Sequence, residues 1–581
     1  MKNIALAFSG GGFRAAAFSL GTLSYLDHVP YLDQPLLEQV KFIGSTSGGS
    51  ITNLMYTAGL CADEPFNIIY KKIFCAMEGE KLLGRVFEIL NDTQLWQKRK
   101  DKRINLINAF SMAYDEANML GGKTFGELSE NIKYTHLDEI TVNATEFTNG
   151  ISFRFQSQHG NPSFPKGRVG NNYINFKRDQ LEVAGLMKLG DLLACSSCFP
   201  GGFEPFLFPE DFTHGELNTD MLVRAMQYKT NPFSPPEEED KQEKRTRFFL
   251  MDGGIADNQA IESVLLANKR RQKNKRPTFD LIIATDVTSY FMDGFDLPPE
   301  DKLADSGKAG VSPLFIKRTL FVGGCLFLLL VALYFTPYWK SWMYLPVIPM
   351  ALSLGIWLYL TAQFAAAGKK AKQENDSWLI VLLKYGAYFA RLKMNVLKYM
   401  ILARLKSVLL LANDIYLKQI RRHYYNMVYR DPDLSGLFIS NAIYDLSLVK
   451  QKASADKDLV QVIGFDSLND AEDTQIPAPS AALKKVAEKA RLVPTTLWFD
   501  LNNPDQQLRE TIIATGQFTT CYNLLKYLIR LEKISSASPT GEVQPFGEDL
   551  RSLKNTMAAD WKKFNEDPYF MLPVITQVNP C

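Results

Sequence analysis

The feature that most constrains this chain is an apolar strand running into a glycine turn and then a helix, met twice before Leu60. Ile4-Ala5-Leu6-Ala7-Phe8 leads into Gly10-Gly11-Gly12 and a small-residue stretch from Arg14 to about His28. Val40–Gly44 leads into Ser45-Thr46-Ser47-Gly48-Gly49 and a helical stretch that ends near Leu60. Strand, glycine turn and helix in succession predict an α/β fold built on a parallel sheet. Further strands are predicted at Glu139–Ala144, Gly150–Gln156, Arg247–Met251 and Phe279–Ala284, with helices through much of 81–130.

At 581 residues, 46% hydrophobic and 22% charged, the chain can bury a full core and divides into two or three units. A formal net charge of +2 supplies no global field, so no nucleic-acid partner is expected. The seven cysteines (Cys61, Cys75, Cys195, Cys198, Cys325, Cys521 and Cys581) have no regular spacing. That pattern argues against a disulfide framework and suits a reducing compartment. Glycines interrupt the N-terminal apolar run too soon for a signal peptide, so the α/β portion is expected in the cytosol. Residues 229–246, with Pro232, Pro235, Pro236 and Glu237-Glu238-Glu239-Asp240, read as a polar surface loop. A second linker runs from Asp293 to Pro313, and no internal repeat is present.

That linker opens onto an apolar block. Thr319–Thr336 and Ser341–Gly368 hold 18 and 28 residues without a charge. A spanning helix needs about 20 apolar residues, so membrane helices are predicted at about 319–336 and 343–367. Lys317 and Arg318 precede the first; Lys369, Lys370 and Lys372 follow the second. These flanks put both ends of the hairpin, and the α/β domain, on the cytoplasmic side. Tyr334, Phe335, Tyr338, Trp339, Trp342 and Tyr344 crowd the turn as an interfacial belt would. The competing reading is a buried helical hairpin in a soluble core. Lys369–Arg422 carries 12 Lys/Arg against 3 Asp/Glu, a pattern of basic amphipathic helices on an anionic leaflet or packed on the soluble domain. Beyond 430 the chain turns globular, with strands at Leu437–Ile439 and Val460–Gly464, helices at 479–491 and 507–533, and a mixed tail from 535. The expected division is 1–300 as the catalytic domain, 313–430 as hairpin plus basic helices, and 431–581 as completion of the catalytic domain and tail.

The residue types at the turns carry chemistry. Ser47, with small residues on either side, sits where a tight strand-to-helix turn lifts a hydroxyl from the sheet edge. Thr46 and Ser50 are its alternatives within the motif. A serine hydroxyl needs a base. None of His28, His136, His159, His214 and His423 lies in a motif that would present one. Asp252, closing the strand Arg247–Met251 and followed by Gly253-Gly254, is expected at the carboxyl edge, where partial desolvation makes a carboxylate a usable base. Asp257, beside Asn258, reads as a helix cap. The amides of Gly10–Gly12 at a helix start suit developing negative charge, and Arg14 adds a cation that orients the loop or meets a lipid phosphate. Gly10-x-Gly12-x-x-Ala15 also fits a dinucleotide fingerprint, but the second strand ends in Gly44-Ser45 where that fold needs an acidic residue. Cys195-Ser196-Ser197-Cys198 has zinc-like spacing without a second pair and reads as core or loop thiols.

At these residues the chain resembles the patatin-like phospholipase family. The resemblance rests on Gly10–Arg14, Ser45–Ser50, Asp252-Gly253-Gly254 and the small-residue stretch Ala194–Phe203, in that family's order. It covers 1–290 well and the region after 480 more weakly; 313–430 lies outside the usual core. It implies a three-layer α/β/α patatin-like domain, here interrupted by a two-helix transmembrane hairpin. It implies Ser47 as nucleophile, Asp252 as base, and Gly11, Gly12, Arg14 and Gly48 around the oxyanion, supported by Gly10, Gly49, Gly253 and Gly254. No metal and no cofactor is implied. The activity expected is a membrane-anchored acyl hydrolase of phospholipids or lysophospholipids, with the lipid bilayer as partner and a homo-oligomer left open. The alternatives are an acyltransferase or thioesterase on the same dyad, a catalytically silent membrane scaffold, and a soluble lipase whose hairpin is a lid or dimer contact.

Overall fold

Strand β1 (Ile4–Phe8) is wholly buried, and its alternate side chains serve two different cores. Ile4, Leu6 and Phe8 join one cluster, Ala5 and Ala7 another. A strand covered on both faces lies inside a sheet flanked by helices on either side. The computed structural model describes residues 1–158, 167–229, 247–288, 312–337, 341, 344–373, 391–448, 475–495, 499, 507–537 and 546–572. The other strands of the main sheet are β2 (Val40–Thr46), β3 (Glu139–Glu146), β4 (Ile151–Gln158), β5 (Arg168–Gly170), β6 (Ile174–Phe176), β7 (Phe206–Phe208), β8 (Met226–Tyr228), β9 (Phe248–Asp252), β10 (Leu281–Asp286) and β11 (Phe438–Ala442). They form an 11-stranded sheet in the order β8-β6-β5-β4-β3-β2-β1-β10-β11, with β9 pairing β3 and β7 off this path.

The sheet is mixed rather than parallel throughout. β3, β2, β1, β10 and β11 run parallel to one another. From β3 outward through β4, β5, β6 and β8 every pairing is antiparallel. The strand-turn-helix grammar before Leu60 therefore describes only one half. In the other half β3 turns directly into β4 through Phe147-Thr148-Asn149-Gly150, too short for the crossover that a parallel pair requires.

Strand β9 shows the same departure where it matters most. In a parallel sheet it would deliver Asp252 by running with its neighbours. Instead it runs antiparallel to β3, with Asp252 opposite Ala144 and Leu250 opposite Glu146. β3 continues beyond Asn143, its last partner position against β2. β9 pairs with that overhang, so Asp252 reaches the carboxyl edge from the opposite direction.

Helices cover both faces. On one side α1 (Gly12–His28) packs against α2 (Gly48–Leu60) and the late helix Leu508–Ala537. On the other, α3 (Ile261–Lys273) and the helix Leu417–Arg430 contribute Ile261, Val264, Tyr425 and Val428 to the second core.

The chain forms two compact units, Met1–Phe291 with Tyr416–Cys581, and Met292–Ile415. In the second, α4 (Pro313–Tyr334) and α5 (Tyr344–Gln373) pack together, with Gly324 against Leu354 and the Phe321 and Trp357 rings 5.2 Å apart. α4 begins ahead of the predicted span and takes Lys317 and Arg318 into its first turns, where Ser312 caps it through the Phe315 amide. α6 (Met394–Leu410) follows in the chain. Among the described residues, two stretches are long and apolar enough to cross a membrane: Pro313–Tyr334 (mean hydropathy 2.0) and Leu345–Ala362 (1.7). Leu328, Leu329, Ile348 and Leu352 are among their exposed side chains.

The remainder of the first unit follows as α7 (Leu417–Arg430), α8 (Ala481–Leu492), α9 (Leu508–Ala537) and α10 (Glu548–Glu566). α8 and α9 fall where helices are predicted, whereas α10 occupies part of the tail read as mixed. Residues 230–246 of the predicted loop 229–246, the strand at Val460–Gly464 and the belt residues Tyr338, Trp339 and Trp342 lie outside the described residues. Cys195 and Cys198 are buried free thiols, Cys61, Cys325 and Cys521 are also free, and Cys75 is disulfide-bonded where the spacing argued against a disulfide framework.

Between α1 and α9 the backbones nearly touch. A Cβ at Gly21 would run into the Ile513 carbonyl and lie 3.0 Å from Gly516 Cα. Larger residues at this crossing would hold the helices further apart. Gly21→Val should therefore destabilise the first unit by about 1–3 kcal/mol through overpacking. A thermal midpoint equal to wild type would show that α1 and α9 can separate without loss.

Candidate active site

Ser47 occupies the junction of β2 and α2 with φ 50° and ψ −122°, a left-handed conformation that a β-carbon resists. Its surroundings hold it there. The Ser47 amide donates to Ser196 Oγ at 3.0 Å, and the Ser196 hydroxyl donates to the Asn143 carbonyl at 2.7 Å. A Cβ at Gly48 would run into the Gly12 carbonyl, and one at Gly49 would lie 2.7 Å from the Phe8 carbonyl. The serine turn is thus seated backbone to backbone on the glycine loop.

That loop opens α1 through Gly11, at φ 138°, and Gly12, at φ 62°. A side chain at Gly10 would meet Asn258 Oδ1 at 2.5 Å and Ser47 Cβ at 3.2 Å. Gly12 and Gly48 are each the first residue of a helix, so their amides have no acceptor within it. Two helix N-termini therefore converge beside Ser47, where partial positive charge accumulates.

Asp252 faces the same point. Its carboxylate accepts a hydrogen bond from the Gly254 amide at 2.7 Å, and the Ser47 side chain favours its charged form. Its own amide donates to the Cys198 carbonyl at 3.1 Å, and the Gly253 amide donates to the Ser196 carbonyl at 3.2 Å. Burial pushes the Asp252 carboxyl up to about 6, opposed by the Gly254 amide and the Ser47 side chain. A buried carboxylate of that basicity can accept a hydroxyl proton near neutral pH.

The other candidates are occupied elsewhere. Thr46 Oγ1 donates to the Asp257 carbonyl at 2.9 Å, and Ser50 Oγ donates to Ser45 Oγ at 3.1 Å. Asp257 accepts from the Ile261 amide at 3.0 Å at the start of α3, while burial pushes its carboxyl up to about 7. His28 meets Asp560, His136 meets Glu38 and Tyr56, and His214 meets the Leu186 carbonyl. His423 packs its ring on Tyr424, and His159 lies outside the described residues. The resemblance puts Arg14 around the oxyanion; its guanidinium is buried and donates to the carbonyls of Val493 at 2.5 Å and Val287 at 2.8 Å. Its place in the first turn of α1 directs it to the segment after β10.

Two residues of the site escaped sequence reasoning. Ser196, noted only within a small-residue stretch, bridges Ser47 to β3. Asn258, read as part of a cap, accepts from the Gly10 amide at 2.9 Å through its carbonyl, and its Oδ1 would lie 2.7 Å from a Cβ at Gly254. Only the small size of the neighbouring residues hinted at either contact.

The family model of patatin-like phospholipase matches residues 6–265. The chain therefore carries a patatin-like phospholipase domain, an α/β domain with a mixed sheet, over that range. Among solved structures, human GIVD cytosolic phospholipase A2 is similar at 11% identity and TM-score 0.31, over 52% of this chain and 47% of its own. The match thus spans about half the length of that protein. VipD from Legionella pneumophila is similar at 11% identity and TM-score 0.21, over 97% of this chain and 93% of its own. No curated protein matches the sequence.

Gly48→Ala should displace the serine turn and reduce fluorophosphonate labelling by about 10²-fold, the scale of a misplaced reacting group. Ser50→Ala should label like wild type. Unchanged labelling of Gly48→Ala would show that the site does not depend on this backbone contact.

Proposed function

We propose that this chain is a membrane-anchored serine acyl hydrolase acting on phospholipids or lysophospholipids at the cytoplasmic leaflet. The observation that carries the reading is a buried Asp252 carboxylate, its charged form favoured by the Ser47 side chain, beside two helix N-termini. In this mechanism Asp252 takes the Ser47 proton as Oγ attacks the ester carbonyl. The amides of Gly11, Gly12 and Gly48 stabilise the tetrahedral oxyanion, each donor being worth about 10²–10³ in rate. Collapse breaks the ester C–O bond, and Asp252 returns the proton to the leaving alcohol. Water, deprotonated by Asp252, then attacks the acyl-serine and releases the fatty acid.

Membrane anchoring is supported by the two apolar helices, whose most apolar stretches are 6% and 0% buried. Anchoring would hold the site at its substrate and raise the effective concentration. An acyltransferase on the same dyad would differ only in the acceptor that cleaves the acyl-enzyme.

Ser47→Ala and Asp252→Asn should each abolish fatty-acid release from phospholipid vesicles while the protein remains folded. Release unchanged in Ser47→Ala would refute the mechanism. Because Asp252 must be ionised to accept the proton, kcat/KM should fall as pH drops through about 6. A profile flat between about pH 5 and about pH 8 would remove Asp252 as base. The wild-type chain should stay with membranes after alkaline carbonate washing and require detergent for release. Recovery in the soluble fraction would favour a lid or dimer role for the hairpin.

A further inference from the structure

The helix on which the chain re-enters the first unit is tied to the end of β10 by a buried ion pair. Arg421 on α7 donates through Nε to Asp286 Oδ2 at 2.5 Å, and the Tyr425 hydroxyl donates to the same oxygen at 3.1 Å. Asp286 is 0% exposed and ends β10, just before the chain leaves this unit; Arg421 follows soon after it returns at Tyr416. A buried ion pair is weak evidence for stability, since an apolar pair of similar volume often does as well. What it does fix is geometry, and the geometry here leads to the glycine loop.

The other oxygen of Asp286 accepts from the Thr288 amide at 2.8 Å. Thr288 Oγ1 accepts from Asn258 Nδ2 at 3.1 Å, and the Asn258 carbonyl accepts from the Gly10 amide at 2.9 Å. Asn258 Oδ1 sits against both Gly10 and Gly254, leaving no room for a Cβ at either. Gly254 in turn donates to Asp252. Val287, between Asp286 and Thr288, holds Cγ2 against Gly11 and accepts from Arg14. The segment 286–288 thus abuts the glycine loop at Gly11 and reaches Gly10 and the Asp252 turn through Asn258.

We propose that Arg421 is a positioning residue: through Asp286, Thr288 and Asn258 it sets the place of the Gly10–Gly12 loop relative to Ser47 and Asp252. This rests on the hydrolase reading above for its kinetic consequence, but not for its structural one. The returning helix α7 thereby becomes part of what makes the site competent.

The test uses the full-length chain in detergent micelles with a p-nitrophenyl acyl ester. Thr288→Val removes the acceptor for Asn258 while leaving the ion pair in place. It should lower kcat about tenfold, less than the loss of a whole oxyanion donor, with KM moved less than about twofold. Thr288→Ser should restore kcat. Arg421→Gln with Asp286→Asn should act in the same direction. Amide hydrogen exchange should quicken over residues 10–13 in Thr288→Val and remain unchanged in the β3–β4 hairpin. Wild-type kcat and exchange in Thr288→Val would overturn the proposal, as would faster exchange throughout the unit, which marks a merely structural role. If wild type shows no Ser47-dependent turnover, the hydrolase reading fails, and exchange over residues 10–13 alone decides the positioning.

Discussion

The site depends on one close approach: the backbone of the serine turn against the backbone of the glycine loop. Gly48 and Gly49 leave no space between α2 and the carbonyls of Gly12 and Phe8. That contact brings two helix starts to one point and holds Ser47 at an unfavourable φ. The cost of such a residue is of order 1–3 kcal/mol and is sustained only where neighbours over-determine it. Here they do so through Ser196, Asn143 and the paired strands β2 and β3.

Electrostatics follow from the same packing. Asp252 is 6% exposed, so its charge is poorly solvated and its proton affinity rises. The Gly254 amide and the Ser47 hydroxyl offset part of that penalty. A carboxylate in water would be too weak a base to share a serine proton; one with every lone pair satisfied would be weaker still. Burial with few donors sits between these limits, and the short turn Asp252-Gly253-Gly254 produces it.

Much of this was legible in the sequence, for physical reasons. Ile4–Phe8 and Val40–Gly44 announce themselves because buried parallel strands are largely apolar runs, here ending at glycine turns. Ser47 and Asp252 stand at turns whose residue types have few other uses. The antiparallel half was harder to see. β5, β6, β7 and β8 are three residues each, too short for a period to register. The direction of β9 is a matter of pairing with the overhang of β3, which no local pattern encodes. The course of the Arg14 side chain was hidden because a motif gives a position along a helix, not the direction of a long side chain. Ser196 and Asn258 act through contacts across the fold, visible only once distant segments are in register.

The partnership of α1 with α9 has a consequence in time. The apolar face of α1 is made early in synthesis, but its covering helix, Leu508–Ala537, emerges only after the whole segment Met292–Ile415 has been translated. Long-range closure of this kind must wait for the later stretch of chain. The lobe bearing Ser47 therefore cannot seal until both long apolar helices have left the ribosome. Order of manufacture alone leaves that face of α1 uncovered until the greasy hairpin has already been made.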